Sequence, residues 1–298
     1  MKEKLFCGIS APLLTPFCAD GTVNYEEYGR LTAYVSGNGV GGLFIGGTSG
    51  EFVNLTVEER EGLLKAAKKS AASGTRLLFN TTAMNLQDME RLCAAARREG
   101  ADAVSITAPY YHPYDAAALV AYFQRACALA GELPVYLYNM VSMTHNPITP
   151  DILKAVKDTC PNLRGVKDSS MDFMVILEYQ ALLEDPDFEI ITGNDAQMLT
   201  NLQAGGAGAL VASARVFPAL CAGVLTDFEA GELSAARARQ TTILHLRDLF
   251  RSVMPIMAHK RALDLQGFHM GPARFPFRDL TAGENTQVER RLRALGLI

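Results

Sequence analysis

The sequence lacks the features that mark membrane and secreted proteins. Among its 298 residues, no apolar run approaches the roughly 18 residues that a membrane-spanning helix needs, so we expect no membrane partner. The N-terminal segment Met1–Lys4 lacks the basic-then-apolar pattern of a signal peptide. Together these absences favour a cytoplasmic location.

The sequence also has no excess of basic residues, since its formal net charge is −4. Proteins that bind nucleic acids usually carry a basic face, so we expect no nucleic-acid partner. The overall balance still allows a local basic pocket for an acidic substrate.

Motifs for metals and dinucleotides are absent as well. The six cysteines form no C-x-x-C pair, and the five histidines show neither metal-ligand spacing nor an H-E-x-x-H motif. We therefore expect reduced, mostly buried thiols and no metal site. Most of the histidines are expected on the surface or in loops. The exception is His145, which lies just beyond Tyr138.

Short apolar segments alternate with longer amphipathic ones along most of the chain. The short segments suit strands that are buried on both faces of a parallel sheet. Because there are eight of them, and no G-x-G-x-x-G turn follows the first, they predict an α/β fold of the (β/α)8 or TIM-barrel type. An open doubly wound sheet is the alternative. The predicted strands are 6–10, 42–46, 76–80, 103–107, 135–138, 164–167, 188–192 and 209–211.

The strand pattern ends at about residue 230. Beyond it the sequence predicts helices at 232–250, 257–266 and 284–295. We therefore expect a catalytic barrel over residues 1–229 and a helical C-terminal region over residues 230–298.

A lysine stands at the end of the sixth predicted strand. Active sites of such barrels lie at the C-terminal ends of the strands, which places Lys167 at the barrel mouth. Apolar surroundings disfavour the charged form of an amine, and a neutral amine can attack a ketone. The alternative is a lysine paired with a carboxylate such as Asp168 or Asp195. The strand position alone does not decide between the two.

Two neighbouring segments offer partners for such a lysine. Tyr138 closes the preceding strand, so its phenol could relay protons near Lys167. On position alone, a barrel-filling aromatic with a satisfied hydroxyl is the commoner case. The glycine-rich segment 46–51 contains Thr48 and Ser49 and could hold a carboxylate, although such turns often only cap backbone groups.

Five short motifs share their order and spacing with a known family. They are GGTSGE at 46–51, PYYHPY at 109–114, YLYN at 136–139, GVKDSS at 165–170 and TGND at 192–195. With them the sequence resembles the dihydrodipicolinate synthase/N-acetylneuraminate lyase family of pyruvate-dependent class I aldolases. The resemblance extends from Thr15 to about Pro218.

The resemblance implies roles for individual residues. Lys167 becomes the Schiff-base nucleophile and Tyr138 the proton-transfer residue. Thr48 and Ser49 hold the pyruvate carboxylate and orient the tyrosine, and Tyr111 reaches into the active site of a neighbouring subunit. Further substrate contacts are expected at Val211, Met143, His145, Gly193 and Asp195.

The resemblance also implies partners and assembly. We expect pyruvate and an aldehyde as small-molecule substrates, and a homotetramer built as a dimer of dimers. No metal or organic cofactor is expected, because the protonated imine is itself the electron sink.

The sequence departs from the family pattern where the second substrate should bind. The arginine of dihydrodipicolinate synthases is replaced by Met143, while neuraminate lyases have a glutamate and a serine where this chain has Ala196 and Ala212. We therefore expect an aldolase or lyase that acts on a 4-hydroxy-2-oxo acid or a 2-keto-3-deoxy sugar acid. The alternatives are a true dihydrodipicolinate synthase, a phosphate-binding isomerase barrel and a catalytically silent paralogue that binds an oxo acid.

Overall fold

Eight parallel strands close into one barrel in the computed structural model, which describes residues 3–298. The predicted barrel is thereby confirmed, and its largest boundary difference is at the first strand, which begins at Gly8. The first two residues of the segment that argued against a signal peptide lie outside the described residues. The strands are β1 Gly8–Pro12, β2 Gly42–Ile45, β3 Arg76–Asn80, β4 Ala103–Thr107, β5 Val135–Asn139, β6 Leu163–Asp168, β7 Glu189–Thr192 and β8 Gly208–Leu210.

Helices cover the outside of the barrel and begin at caps that the sequence supplies. Thr56 and Glu59 form a reciprocal capping box, and Thr149 accepts a hydrogen bond from the Ile152 amide ahead of a proline at the first helical position. The helices through the last βα unit are α1 Tyr25–Ser36, α2 Val57–Ser70, α3 Leu86–Glu99, α4 Ala116–Ala130, α5 Val141–Thr144, α6 Pro150–Thr159, α7 Phe173–Leu183, α8 Met198–Gln203 and α9 Pro218–Glu229.

Alternation along β5 and β6 determines which side chains enter the barrel. Val135 and Leu137 pack outward in the core shared with the helices, while Tyr136 and Tyr138 belong to a separate cluster that fills the barrel. Because β6 runs parallel and pairs Lys167 with Tyr138, the lysine lies on the same inward face. The sheet register therefore aims Lys167 at the barrel mouth.

Three further helices follow the barrel. They are α10 Leu233–Arg251, α11 Pro255–Asp264 and α12 Ala282–Ala294, close to the predicted bounds. The division of the chain at residue 229 stays a prediction. Within residues 3–298 no helix combines the length and apolar character that a membrane crossing would need.

Candidate active site

A cavity of about 830 Å³ opens at the C-terminal ends of the strands. It lies where the barrel fold places active sites. Its walls include seven of the residues that the sequence marked for function. These are Thr48, Ser49, Tyr138, Met143, Lys167, Gly193 and Asp195.

Lys167 lies deep in this cavity and faces two aromatic rings. Its side chain is buried, with Nζ 3.9 Å from the ring centre of Tyr138 and 5.1 Å from that of Phe44. Within the described part of the chain, Lys167 forms no ion pair with a carboxylate. The described residues therefore lack the salt bridge that the alternative interpretation, a lysine paired with Asp168 or Asp195, requires.

Asp168, the nearest carboxylate in sequence, is occupied by other groups. Its oxygens accept hydrogen bonds from Asn139 Nδ2 at 2.6 Å and from the Ser170 hydroxyl at 2.6 Å. Asn139 in turn accepts a bond from the Ile148 amide, and its carbonyl accepts one from the Ser169 amide. This network ties the ends of β5 and β6 together and leaves the adjacent Tyr138–Lys167 pair directed into the cavity.

The environment of Tyr138 acts on its acidity in two directions. Burial acts to raise the pKa of Tyr138, but the positive charge of Lys167 and hydrogen bonding with Thr48, Lys167 and Ser169 outweigh it. The pKa of Tyr138 consequently lies below its ordinary value of 10. A phenol with a lowered pKa exchanges protons more readily near neutral pH, as a proton relay requires.

The glycine-rich segment after β2 brings Thr48 to this phenol. Gly46 has a positive φ of 62°, which favours glycine, and a Cβ on Gly47 would lie 2.4 Å from the Phe44 ring. These two glycines let the chain turn tightly into the short 3-10 helix Thr48–Gly50. Thr48 and Ser49 are thereby presented to the cavity.

The segment after β7 packs directly against the lysine. A Cβ on Gly193 would lie 1.9 Å from Ser169 Oγ and 2.8 Å from Lys167 Cε, so any larger residue there would displace these side chains. Asp195 also lines the cavity, and its carboxylate accepts a hydrogen bond from the Ser213 amide at 2.7 Å. Asp195 thus fixes the segment after β8 to the segment after β7.

Three predicted site residues do not line the cavity. Val211 is fully buried in the core between barrel and helices, and the His145 side chain is exposed. Tyr111 is 83% exposed, with a positive φ of 82°, whereas the preceding Tyr110 lines the cavity of its own chain. The predicted roles of these three residues stay predictions.

Several cavity residues were missed by the sequence interpretation. Ser169 contacts the Tyr138 phenol, and its place in the GVKDSS motif was an available signal. Arg215 and His259 are buried and also line the cavity. The general expectation of exposed histidines is wrong for His259, because α11 folds back over the barrel mouth. No local sequence signal marks that return.

The six cysteines match the expectation of reduced, mostly buried thiols. All six cysteines are free, and four of them are buried: Cys93, Cys127, Cys160 and Cys221. In residues 3–298, no group of three histidine, cysteine or acidic side chains is placed to hold a metal ion.

Comparisons with known proteins cover almost the whole chain. The dihydrodipicolinate synthetase family profile matches residues 5–295. An uncharacterized DapA-like lyase of Halobacterium salinarum is 32% identical over 291 residues, covering 98% of this chain and 94% of the relative. A 4-hydroxy-tetrahydrodipicolinate synthase of Clostridium perfringens is 32% identical over 295 residues, covering 99% and 100%.

A solved structure has the same fold over almost the whole chain. A prophage protein of the dihydrodipicolinic acid synthase family from E. coli K12, in complex with pyruvate, has a TM-score of 0.94 and 28% identity. The match covers 99% of this chain and 100% of the other. Fold and relatives together define a (β/α)8-barrel lyase of the pyruvate-dependent aldolase class. The chain belongs to the dihydrodipicolinate synthetase family, as its motifs predicted.

Proposed function

We propose that this protein is a reversible class I aldolase in which Lys167 forms a Schiff base with pyruvate or with a 4-hydroxy-2-oxo acid. The observation that carries the proposal is the Lys167 amine, buried at the barrel mouth, without a carboxylate partner in residues 3–298, and 3.9 Å from the Tyr138 ring centre. The similar E. coli structure, which contains pyruvate, supports the choice of oxo acid.

The reaction follows from the placement of these groups. Lys167 adds to the ketone carbon through the unprotonated form of its amine, and the carbinolamine loses water to give a protonated imine. In the cleavage direction, the C3–C4 bond electrons move toward the iminium while Tyr138 accepts the proton of the 4-hydroxyl, releasing an aldehyde. Protonation of the enamine and hydrolysis of the imine then release pyruvate. Thr48 and Ser49 hold the substrate carboxylate beside the lysine.

The second substrate distinguishes two candidate activities. Met143 lines the cavity and is 59% exposed, so the segment after β5 offers an apolar wall where a charged anchor would bind aspartate semialdehyde. We therefore favour cleavage of a 4-hydroxy-2-oxo acid or 2-keto-3-deoxy sugar acid. The identity of relatives such as the C. perfringens synthase favours the alternative condensation of pyruvate with aspartate semialdehyde. A coupled assay with the following reductase would detect that condensation.

Borohydride reduction tests the Schiff base directly. In the presence of pyruvate, reduction should add the mass of a reduced pyruvyl imine to the peptide that contains Lys167. The Lys167→Ala variant should acquire no adduct, whereas Lys154→Ala should react like the wild type because Lys154 is exposed and paired with Asp158. An unmodified wild type, or an adduct that persists in Lys167→Ala, would refute the proposal. Imine formation without turnover of any aldehyde would identify a silent oxo-acid-binding protein.

The proposal extends to the assembly. We place Tyr111 in the active site of a neighbouring subunit of a cytoplasmic homotetramer, arranged as a dimer of dimers. The exposure and positive φ of this tyrosine support the role, because strained and exposed aromatic positions are typical of functional and interface sites. Large apolar side chains are also exposed in the segments after β2 and β3, at Val53, Met84 and Leu86. Light scattering together with the kinetics of Tyr111→Phe would test both statements.

A further inference from the structure

A buried arginine in the segment after β8 also lines the cavity. Arg215 follows β8 in the short 3-10 helix Ala212–Arg215, and only 2% of its surface is exposed. In residues 3–298 its guanidinium forms no ion pair, and its Nε has no hydrogen-bond partner. Among the described residues, the guanidinium donates a single hydrogen bond, a long one of 3.4 Å from Nη1 to the Pro12 carbonyl.

A second buried arginine, Arg60, has the hydrogen-bond acceptors that Arg215 lacks. Arg60 is also buried, but its guanidinium donates to the Thr82 carbonyl at 2.9 Å and to the Asn80 carbonyl at 2.6 Å. Burial of a charged guanidinium without such partners is costly. Arg215 thus has donors to spare, and it lines the candidate active-site cavity.

Neither carboxylate in the cavity wall, Glu51 or Asp195, forms an ion pair with Arg215. Glu51 pairs with Lys260 at 3.0 Å, and Asp195 accepts the Ser213 amide at 2.7 Å. Burial lowers the pKa of Arg215 to about 10, against the opposing effects of Asp195 and Tyr138, so the group stays charged at neutral pH. An anionic ligand would therefore meet a buried positive charge that has no ion-pair partner among the described residues.

His259 offers a different kind of contact in the same wall. Its ring stacks on Phe250 at 3.8 Å, and its Nδ1 lies 2.6 Å from the Pro255 carbonyl, to which it donates. Burial and the charge of Arg215 hold the pKa of His259 well below 6.5, so the ring is neutral and Nε2 is an acceptor. Nε2 has no partner among the described residues. A hydroxyl group of a ligand would satisfy it.

Building on the proposed aldolase function, we propose that Arg215 and His259 form the subsite for the second substrate, and that this substrate is an aldehyde carrying a hydroxyl and a terminal carboxylate. Arg215 binds the carboxylate and His259 accepts the hydroxyl proton. Through Arg215, in the segment after β8, this subsite supplies the charge that Met143 does not supply from the segment after β5. It also assigns a substrate role to the C-terminal helices.

Two aldehydes that differ in one group test the proposal in the wild type. Tartronate semialdehyde and glyceraldehyde both carry a 2-hydroxyl, but the first ends in a carboxylate and the second in a hydroxymethyl group. In the condensation with pyruvate, kcat/KM should be at least about tenfold higher for tartronate semialdehyde, the effect of one charge-assisted hydrogen bond. Equal values for the two aldehydes would overturn the proposal without any variant.

The Arg215→Gln variant tests the residue itself. It should lower the ratio of the two kcat/KM values by about ten- to a hundredfold, mainly through the KM for tartronate semialdehyde. Arg125→Gln, a change on the exposed face of α4, should keep the wild-type ratio. An unchanged ratio in Arg215→Gln overturns the proposal. If this variant does not fold, the wild-type ratio decides.

Imine trapping separates this proposal from the aldolase proposal. Arg215→Gln should still form the reducible pyruvyl imine at Lys167, because the subsite serves the second substrate. Loss of the imine in a folded Arg215→Gln variant would show that Arg215 holds pyruvate instead, which overturns the subsite. Absence of the imine in the wild type would instead refute the aldolase function.

Discussion

Lys167 and Tyr138 are register partners on adjacent parallel strands, and the lysine Nζ lies 3.9 Å from the centre of the tyrosine ring. Both residues belong to strands rather than loops, so backbone hydrogen bonds of the barrel set their separation. A nucleophile and a proton relay held in this way need little reorganisation before reaction. The relationship gives the first prediction.

Replacing Tyr138 with Phe should lower kcat by about 10²- to 10⁴-fold, the usual contribution of a general acid–base group. Trapping of the pyruvyl imine should decrease much less, because the lysine is retained. Tyr122→Phe is the matched control, since that phenol is also buried but lies outside the cavity. Equal turnover in Tyr138→Phe and the wild type would exclude Tyr138 as the relay.

Replacing Gly193 with Ala should slow imine formation and destabilise the protein. The new Cβ would overlap Ser169 Oγ and press on Lys167 Cε, at 1.9 and 2.8 Å, so the lysine must move. Overpacking of this kind costs roughly 1–3 kcal/mol. Single-turnover trapping and chemical denaturation would measure the two effects.

The control for this substitution is Gly283→Ala. Gly283 lies in α12, where an added Cβ meets no atom outside its own helix within 4 Å, so the trapping rate should match the wild type and stability should not decrease. Wild-type trapping rates in Gly193→Ala would show that the lysine does not depend on this close contact.

Replacing Lys260 with Met should destabilise the fold strongly. Lys260 and Glu51 are both fully buried and lie 3.0 Å apart, linking α11 to the segment after β2. Removing one partner leaves a buried carboxylate uncompensated, which costs about 3–5 kcal/mol. The free energy of unfolding from urea titration would measure this loss.

The double variant Lys260→Met/Glu51→Leu should recover much of that stability, because neither charge is then buried alone. Additive losses from the two substitutions would instead show that the residues contribute independently. Since Glu51 follows the Thr48–Gly50 turn directly, Lys260→Met should also raise the KM for pyruvate.

Stability should decrease with acidification below pH 6.5 because of His259. Burial and the charge of Arg215 hold the pKa of His259 well below 6.5 in the folded protein. As the pH falls through 6.5, the unfolded chain binds a proton at this residue and the folded chain does not. The free energy of unfolding should therefore fall by up to about 1.4 kcal/mol per pH unit.

Denaturation of His259→Gln between pH 7.5 and 5 would isolate this contribution. The variant should lose that part of the pH dependence, while His245→Gln, an exposed change on α10, should keep it. Identical slopes for His259→Gln and the wild type would contradict a neutral, buried His259.

The fold was largely predictable because its signals are local. Strands buried on both faces are apolar throughout, and capping residues such as Thr56 and Thr149 mark helix starts within a few positions. The family motifs are local too, and they identified Lys167, Tyr138 and the Thr48–Ser49 pair. The boundaries of β1 were predicted least accurately. Phe6 and Ile9 are both apolar, so only the pairing with β2 and β8 decides where the strand begins.

The sequence by itself determined the barrel, the position of the lysine and the family, because strand patterns and motif spacing are local features of the sequence. Only the tertiary structure decided what surrounds that lysine. Closure of the barrel brought Gly193 against Lys167, and the return of α11 over the mouth brought His259 beside Arg215. These contacts join residues far apart in sequence, and their geometry depends on how whole elements pack.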